Sequence, residues 1–408
     1  MQNANEVERA IDFERRQGRP LLAQARAVTS ALALPKIALD DSAVRGSRYT
    51  ALDAWRGLAA LSVVYGHQTS GRVGASLFIA FHLAVDFFFV LSGFVLAHRY
   101  WEELVRDRKP FFPVVIARFA RLYPAHVFVL FALLIGFGIE AIPAYRAGTP
   151  MLAAWSEAIP PFPGGPGLST FILNLLLLQN VGLTPTGLTW NVPSWSISVE
   201  FVGSLAVLGL VAIWRKPGVR VALVAIACAG YGLVLAVKNG GLDATYETLW
   251  HIVNLGLARA IAGIAAGVIC LLLVRKYRAT RTPAPAVATL LELLAIACVL
   301  SLMIRPNFHD ARDALFPFAA LALVAIFSLQ AGTVSRILNS APLVYLGSLS
   351  YAIYLVHWPL LFVMLEQHQL PPGLYYLAVF GSAILTHHAV EVPARRFIMQ
   401  RAQHARSA

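Results

Sequence analysis

Residues 52–67 read Leu52-Asp53-Ala54-Trp55-Arg56-Gly57-Leu58-Ala59-Ala60-Leu61-Ser62-Val63-Val64-Tyr65-Gly66-His67, an apolar run interrupted by an arginine and a histidine. In a helix turning ~100° per residue, these two side chains fall within roughly 20° of one another, about 16 Å apart along the axis. They share one face at two depths. If the run crosses a bilayer, an arginine near the centre costs about 2.5–3.5 kcal/mol to insert, so Arg56 and His67 are read as functional.

The composition of the whole chain supports a membrane setting. Of 408 residues, 58% are hydrophobic and 13% charged, and the mean hydropathy is positive, beyond what soluble domains show. The net charge of +12 does not point to nucleic acid, because the basic residues gather in short segments between apolar runs, as the positive-inside rule describes. Cys228, Cys270 and Cys298 lie inside apolar runs with no metal-ligand or redox spacing and are expected to be lipid-buried small residues. No metal or bound cofactor is expected. Residues 1–48 form a charge-mixed arm without the basic-then-apolar order of a signal peptide, expected to be cytoplasmic and disordered.

Ten apolar runs are long enough to span, near 52–71, 76–97, 124–142, 194–214, 220–238, 250–274, 287–304, 314–330, 343–364 and 374–391. An eleventh, Leu168 to Gly182, carries Ser169, Thr170, Asn174, Gln179 and Asn180 behind the approach Pro161-Phe162-Pro163-Gly164-Gly165-Pro166-Gly167. Loop charge arbitrates. With a cytoplasmic N-terminus and ten spans, the inside loops collect Arg99, Arg106, Arg108, Lys109, Arg118 and Arg121, then Arg215, Lys216 and Arg220, then Arg275, Lys276, Arg278 and Arg281. Counting the eleventh run as a span would put the later basic clusters outside, so it reads as re-entrant or interfacial. The expected fold is an all-α polytopic bundle of ten transmembrane helices with both termini cytoplasmic, its membrane domain covering 49–395 and a basic tail 396–408.

Further polar residues interrupt the spans. His82, Asp86 and Gly93 share a helical face with Ser92 close by: either a His–Asp pair neutralises itself inside the bundle while Gly93 allows close packing, or this is a polar wall beside a reaction chamber. Glu200 is a second intramembrane carboxylate, either in a structural ion pair or orienting a histidine. Arg118 and Arg121, three apart, are placed to face one phosphate or to anchor the loop topologically. Arg259 and His357 are further intrusions. The spacing from His82 to Asp86 is one residue short of the His-x4-Asp of glycerolipid acyltransferases, and no Walker-type phosphate loop is present.

Taken in order, five features resemble the bacterial acyltransferase-3 family of integral membrane acyltransferases. They are the Arg-x10-His of Arg56 and His67, the run from Asp86 to Phe94, Arg118-x-x-Arg121 before Tyr123-Pro124, the segment from Trp195 to Glu200, and Tyr351-Ala352-Ile353-Tyr354-Leu355-Val356-His357-Trp358-Pro359. The resemblance implies transfer of an acyl group, usually acetyl, from cytoplasmic acyl-coenzyme A to a hydroxyl of a saccharide or glycolipid at the bacterial inner membrane. It casts Arg56, His67 and Glu200 as catalytic, Arg118 and Arg121 as donor-binding, and leaves Asp86, Ser92 and His357 as supporting polar residues. Some members append a soluble transferase domain; its absence here implies direct transfer or a separate extracytoplasmic partner protein. The competing class is a transporter or flippase, with the same polar residues lining a pathway.

Overall fold

The computed structural model describes residues 48–69, 80–158, 167–184, 187–249, 253–280, 283–305 and 307–407. The leading arm lies outside these residues except for Arg48, as does the approach Pro161–Pro166. The described residues are mostly helical: α1 (Thr50–Thr69), α2 (Ala84–Val105), α3 (Phe112–Glu140), α4 (Ile142–Arg146), α5 (Met151–Ala158), α6 (Leu168–Leu175), α7 (Trp195–Ile213), α8 (Gly218–Val237), α9 (Leu255–Arg278), α10 (Pro285–Met303), α11 (Phe316–Leu329), α12 (Thr333–Leu338), α13 (Ala341–Leu360), α14 (Pro372–Leu385) and α15 (Val392–Ser407). Two-residue strands, Thr248–Leu249 and Val253–Asn254, pair antiparallel in one connection. The last apolar runs continue through π-helical turns at Leu361–Gln367 and Thr386–Glu391.

Among the described residues, eight helices are long and apolar enough to cross a membrane by length and composition: α2, α3, α7, α8, α9, α10, α11 and α13, several with a flanking turn. The chain is thus a multi-pass membrane protein. The expected spans 52–71 and 374–391 correspond to α1 and α14, which fall outside that set. Asp53, Arg56 and His67 lower the hydropathy of α1, and α14 is 14 residues long before its π-helical turn.

Two helix pairs hold the centre, and glycine brings each together. A Cβ at Gly93 of α2 would lie 2.0 Å from the Ile264 carbonyl of α9, and one at Gly267 would lie 1.9 Å from the Val90 carbonyl. No other residue permits this approach without moving a backbone. Ion pairs Asp86–Arg259 and Glu102–Arg275 tie the same two helices near both ends, so α2 and α9 run parallel. In the second pair, a Cβ at Gly347 of α13 would meet the Asp53 carbonyl of α1 at 2.0 Å. A Cβ at Gly57 of α1 would meet the Gly347 nitrogen at 2.9 Å, and ten residues further along each helix His67 meets His357. α1 and α13 are therefore also parallel and hold register over about 15 Å.

These directions bear on residues 168–182. Among the described residues, three long apolar helices lie between α2 and α9, and seven between α1 and α13, odd numbers that give parallel pairs only when α6 does not cross. Its eight residues reach about 12 Å, short of a ~30 Å hydrocarbon core. Polar contacts fold the segment back. Asn174 donates to the Thr170 carbonyl and to Thr189 Oγ1, His126 Nε2 donates to the Asn174 carbonyl, and Gln179 donates to the Ser194 carbonyl. Leu177 turns the chain at φ 58°, and its carbonyl is satisfied by Ser198 Oγ.

Candidate active site

The packing of α1 on α13 brings His67 and His357 together: His67 Nδ1 lies 3.1 Å from His357 Nε2, with the rings stacked at 5.2 Å. Phe81 and Trp358 close edge-on around the His67 ring at 4.7 and 5.1 Å. His357 is fully buried, and its Nδ1 lies 2.8 Å from the Tyr354 carbonyl. A carbonyl only accepts, so Nδ1 of His357 carries the proton, and in a neutral ring its Nε2 is a bare acceptor. Two imidazoles at this separation do not both hold a charge in an apolar wall. His67 Nδ1–H therefore donates to His357, and the Val63 carbonyl one turn earlier also accepts from the His67 ring. In a neutral His67 ring, the contact to His357 puts the proton on Nδ1 and leaves Nε2 with its lone pair.

Below this pair, three helices meet at a carboxylate. Ser92 of α2 donates to Glu200 Oε1 of α7 at 2.7 Å, and Arg118 of α3 donates to the same oxygen at 2.7 Å. Arg118 Nε also reaches Ser204 Oγ, one turn after Glu200, at 3.1 Å. The guanidinium thus spans two consecutive turns of α7, a two-point grip that an ammonium cannot reproduce.

Arg121, one turn along α3, does not join Glu200. It is ion-paired with Glu391 in the second π-helical turn, lies over the Tyr351 ring at 5.6 Å, and Glu391 is also held by His387 Nδ1 at 3.0 Å. Arg56 sits between these groups, 3.5 Å from Asp53 and within the fields of Arg121, Glu200 and Glu391. The basic end of the bundle therefore holds interleaved guanidinium and carboxylate groups, and the far end holds the histidine pair.

The structure resolves the open reading of α2. His82 and Asp86 do not pair. Asp86 takes a two-point ion pair from Arg259, with Arg259 Nε at 3.0 and 3.1 Å from its two oxygens, and accepts from Tyr231 at 3.3 Å. Two further Arg259 donors go to the Ala244 and His82 carbonyls. His82 turns instead to Asp313, which also binds Arg305. A buried pair with these partners ties α2 to α9, and the partners of Asp86 are not the groups around His67.

Of the residues singled out in the sequence, the structure joins His67 to His357 and Ser92 to Arg118 and Glu200. It brings Arg56 and Arg121 alongside, and separates Asp86. Sequence reasoning passed over Glu391 and Tyr354. For Glu391 a signal existed, a carboxylate closing the last apolar run just before Pro393 and a row of arginines. For Tyr354 there was none, since its contribution to the histidine pair is a backbone carbonyl.

Comparison with known proteins bears on the family of the chain. A family profile described as an acyltransferase domain, acyltransferase-3, matches residues 49–386. The acyltransferase MdmB of Streptomyces mycarofaciens is 30% identical over 347 residues, 78% of this chain and 82% of that protein. Protein 2 in picA locus of Rhizobium radiobacter is 50% identical over 86 residues, 20% of this chain and 42% of that protein. No solved structure matches the chain.

Proposed function

The chain belongs to the acyltransferase-3 family, and from that premise we propose that it transfers an acyl group, acetyl by first expectation, from cytoplasmic acyl-coenzyme A to a hydroxyl of a saccharide or related envelope molecule at the bacterial inner membrane. It is an O-acyltransferase; the donor, the acceptor and the roles below are our reading. The observation that carries it is the His67–His357 pair, which holds an unprotonated Nε2 on the face shared with Arg56.

In this reading the basic end of the bundle faces the cytoplasm and receives the nucleotide end of the donor near Arg56, Arg118 and Arg121. The pantetheine arm runs along the shared face of α1, so its thioester comes to rest beside His67, about 16 Å deeper than Arg56. His67 Nε2 takes the proton of the acceptor hydroxyl as its oxygen attacks the thioester carbonyl. The tetrahedral oxyanion collapses, the C–S bond breaks, and the departing thiolate takes the proton back from the imidazolium. His357 stabilises that imidazolium through the Nδ1–H bond and holds the ring in one tautomer. Ser92, Arg118 and Glu200 hold three helices around the path between the two ends.

The test uses the purified chain with acyl-labelled acetyl-coenzyme A, together with mass comparison of envelope glycans from a deletion strain and its parent. Label on a glycan, and a glycan lighter by one acyl group in the deletion strain, support the reading. Movement of unmodified glycan without label transfer overturns it.

A further inference from the structure

The last helix adds to the charge at the basic end. Glu391 is bound to Arg121, which fixes the end of the last span against α3, and α15 continues along α3 from there. One helical turn after Glu391, Arg395 falls on the same face, within the fields of Arg121, Glu391 and Tyr100. Tyr100 in turn lies within the fields of Arg118 and Arg395. Four guanidinium groups, Arg56, Arg118, Arg121 and Arg395, thus face three carboxylates, Asp53, Glu200 and Glu391.

These cations are not equivalent. Arg118, Arg121 and Arg56 each have a carboxylate within ion-pair distance, so an arriving anion must compete for them. Arg395 is exposed and makes no ion pair among the described residues. The surrounding helices first, and the Arg121 charge second, push its pKa below the ordinary arginine range. An anion at this point meets an exposed guanidinium and breaks no existing pair.

We propose that Arg395 is a donor-binding residue that contacts a phosphate of the nucleotide end of coenzyme A, extending the donor site onto the helix that follows the last span. The proposal rests on the donor reading above. A guanidinium at a membrane surface also suits a lipid phosphate, and the test separates the two sources.

The experiment measures equilibrium binding of coenzyme A and of pantetheine to the full chain in phosphatidylcholine nanodiscs. It compares the unaltered protein, Arg395→Gln, Arg395→Lys and Arg401→Gln, a tail arginine that lies over Phe397. The expected result is about tenfold weaker coenzyme A binding by Arg395→Gln, the scale of one charge-assisted contact. Arg395→Lys should recover part of it, pantetheine binding should not change, and Arg401→Gln should bind coenzyme A normally. Unchanged coenzyme A affinity in Arg395→Gln overturns the proposal. So does a defect seen only when phosphatidylglycerol is added to the nanodiscs, which assigns the arginine to lipid. Failure of the unaltered protein to bind coenzyme A removes the donor reading itself.

Discussion

His67 Nδ1 and His357 Nε2 lie 3.1 Å apart although 290 residues separate them in sequence. Gly57 and Gly347, ten residues earlier on each helix, bring α1 and α13 close enough for that contact. The pair depends on three features at once: the glycines, the parallel run of the helices, and the Tyr354 carbonyl that sets the tautomer.

Removing either histidine should have distinct effects. His67→Ala should abolish acyl transfer while the protein still reaches the membrane at normal levels, and near-normal activity would sink the assignment. His357→Ala should lower kcat by about 10- to 100-fold, the range for a residue that orients another, with little change in the KM for the acyl donor. Steady-state kinetics on purified variants decide this.

The glycine contact should be needed for activity as much as for packing. Gly347→Val drives a branched side chain into the Asp53 carbonyl, where even a Cβ would lie at 2.0 Å. We expect transfer to fall along with the thermal midpoint. Gly136→Val, on a stretch of α3 with nothing within 4 Å of the added Cβ, should leave both nearly unchanged. Equal damage from the two variants would argue against a specific α1–α13 contact.

The Asp86–Arg259 pair should matter for folding. Both side chains are fully buried, so Asp86→Asn leaves an uncompensated guanidinium and should cost about 3–5 kcal/mol. The double variant Asp86→Leu with Arg259→Met removes both charges and should recover much of that loss. Thermal unfolding in detergent measures it, and a double variant less stable than Asp86→Asn would contradict the expectation.

Arg118→Lys should not be conservative. Lysine keeps the charge but loses the simultaneous contacts to Glu200 Oε1 and Ser204 Oγ, made by different atoms of one planar group. We expect at least about a tenfold loss of transfer, comparable to removing one charge-assisted hydrogen bond. A variant with full activity would show that only the positive charge is required.

Much of the architecture was legible from local pattern. Apolar runs, basic loops and polar residues within spans identified a membrane helix bundle. Asn174, Gln179 and Asn180 left residues 168–182 ambiguous, and it was the charge of the later loops that argued against counting them as a span. The polar groups themselves were also visible, as charges in apolar surroundings carry a cost that sequence alone exposes.

Partner choice was not legible. His82 and Asp86, one turn apart, are natural partners in an isolated helix, yet each binds a residue more than 170 positions away. Arg118 and Arg121, spaced to share one anion, are held by different carboxylates from different helices. Periodicity reports which face a side chain occupies on its own helix. Which helix lies opposite depends on glycine contacts and crossing directions assembled across the whole bundle. By itself, then, the sequence determined that this is a polytopic membrane protein with charged and imidazole groups on the inner faces of its helices. Only the tertiary structure decided that His67 answers to His357, Glu200 to Arg118 and Arg121 to Glu391, because those pairings come from long-range packing that no local pattern encodes.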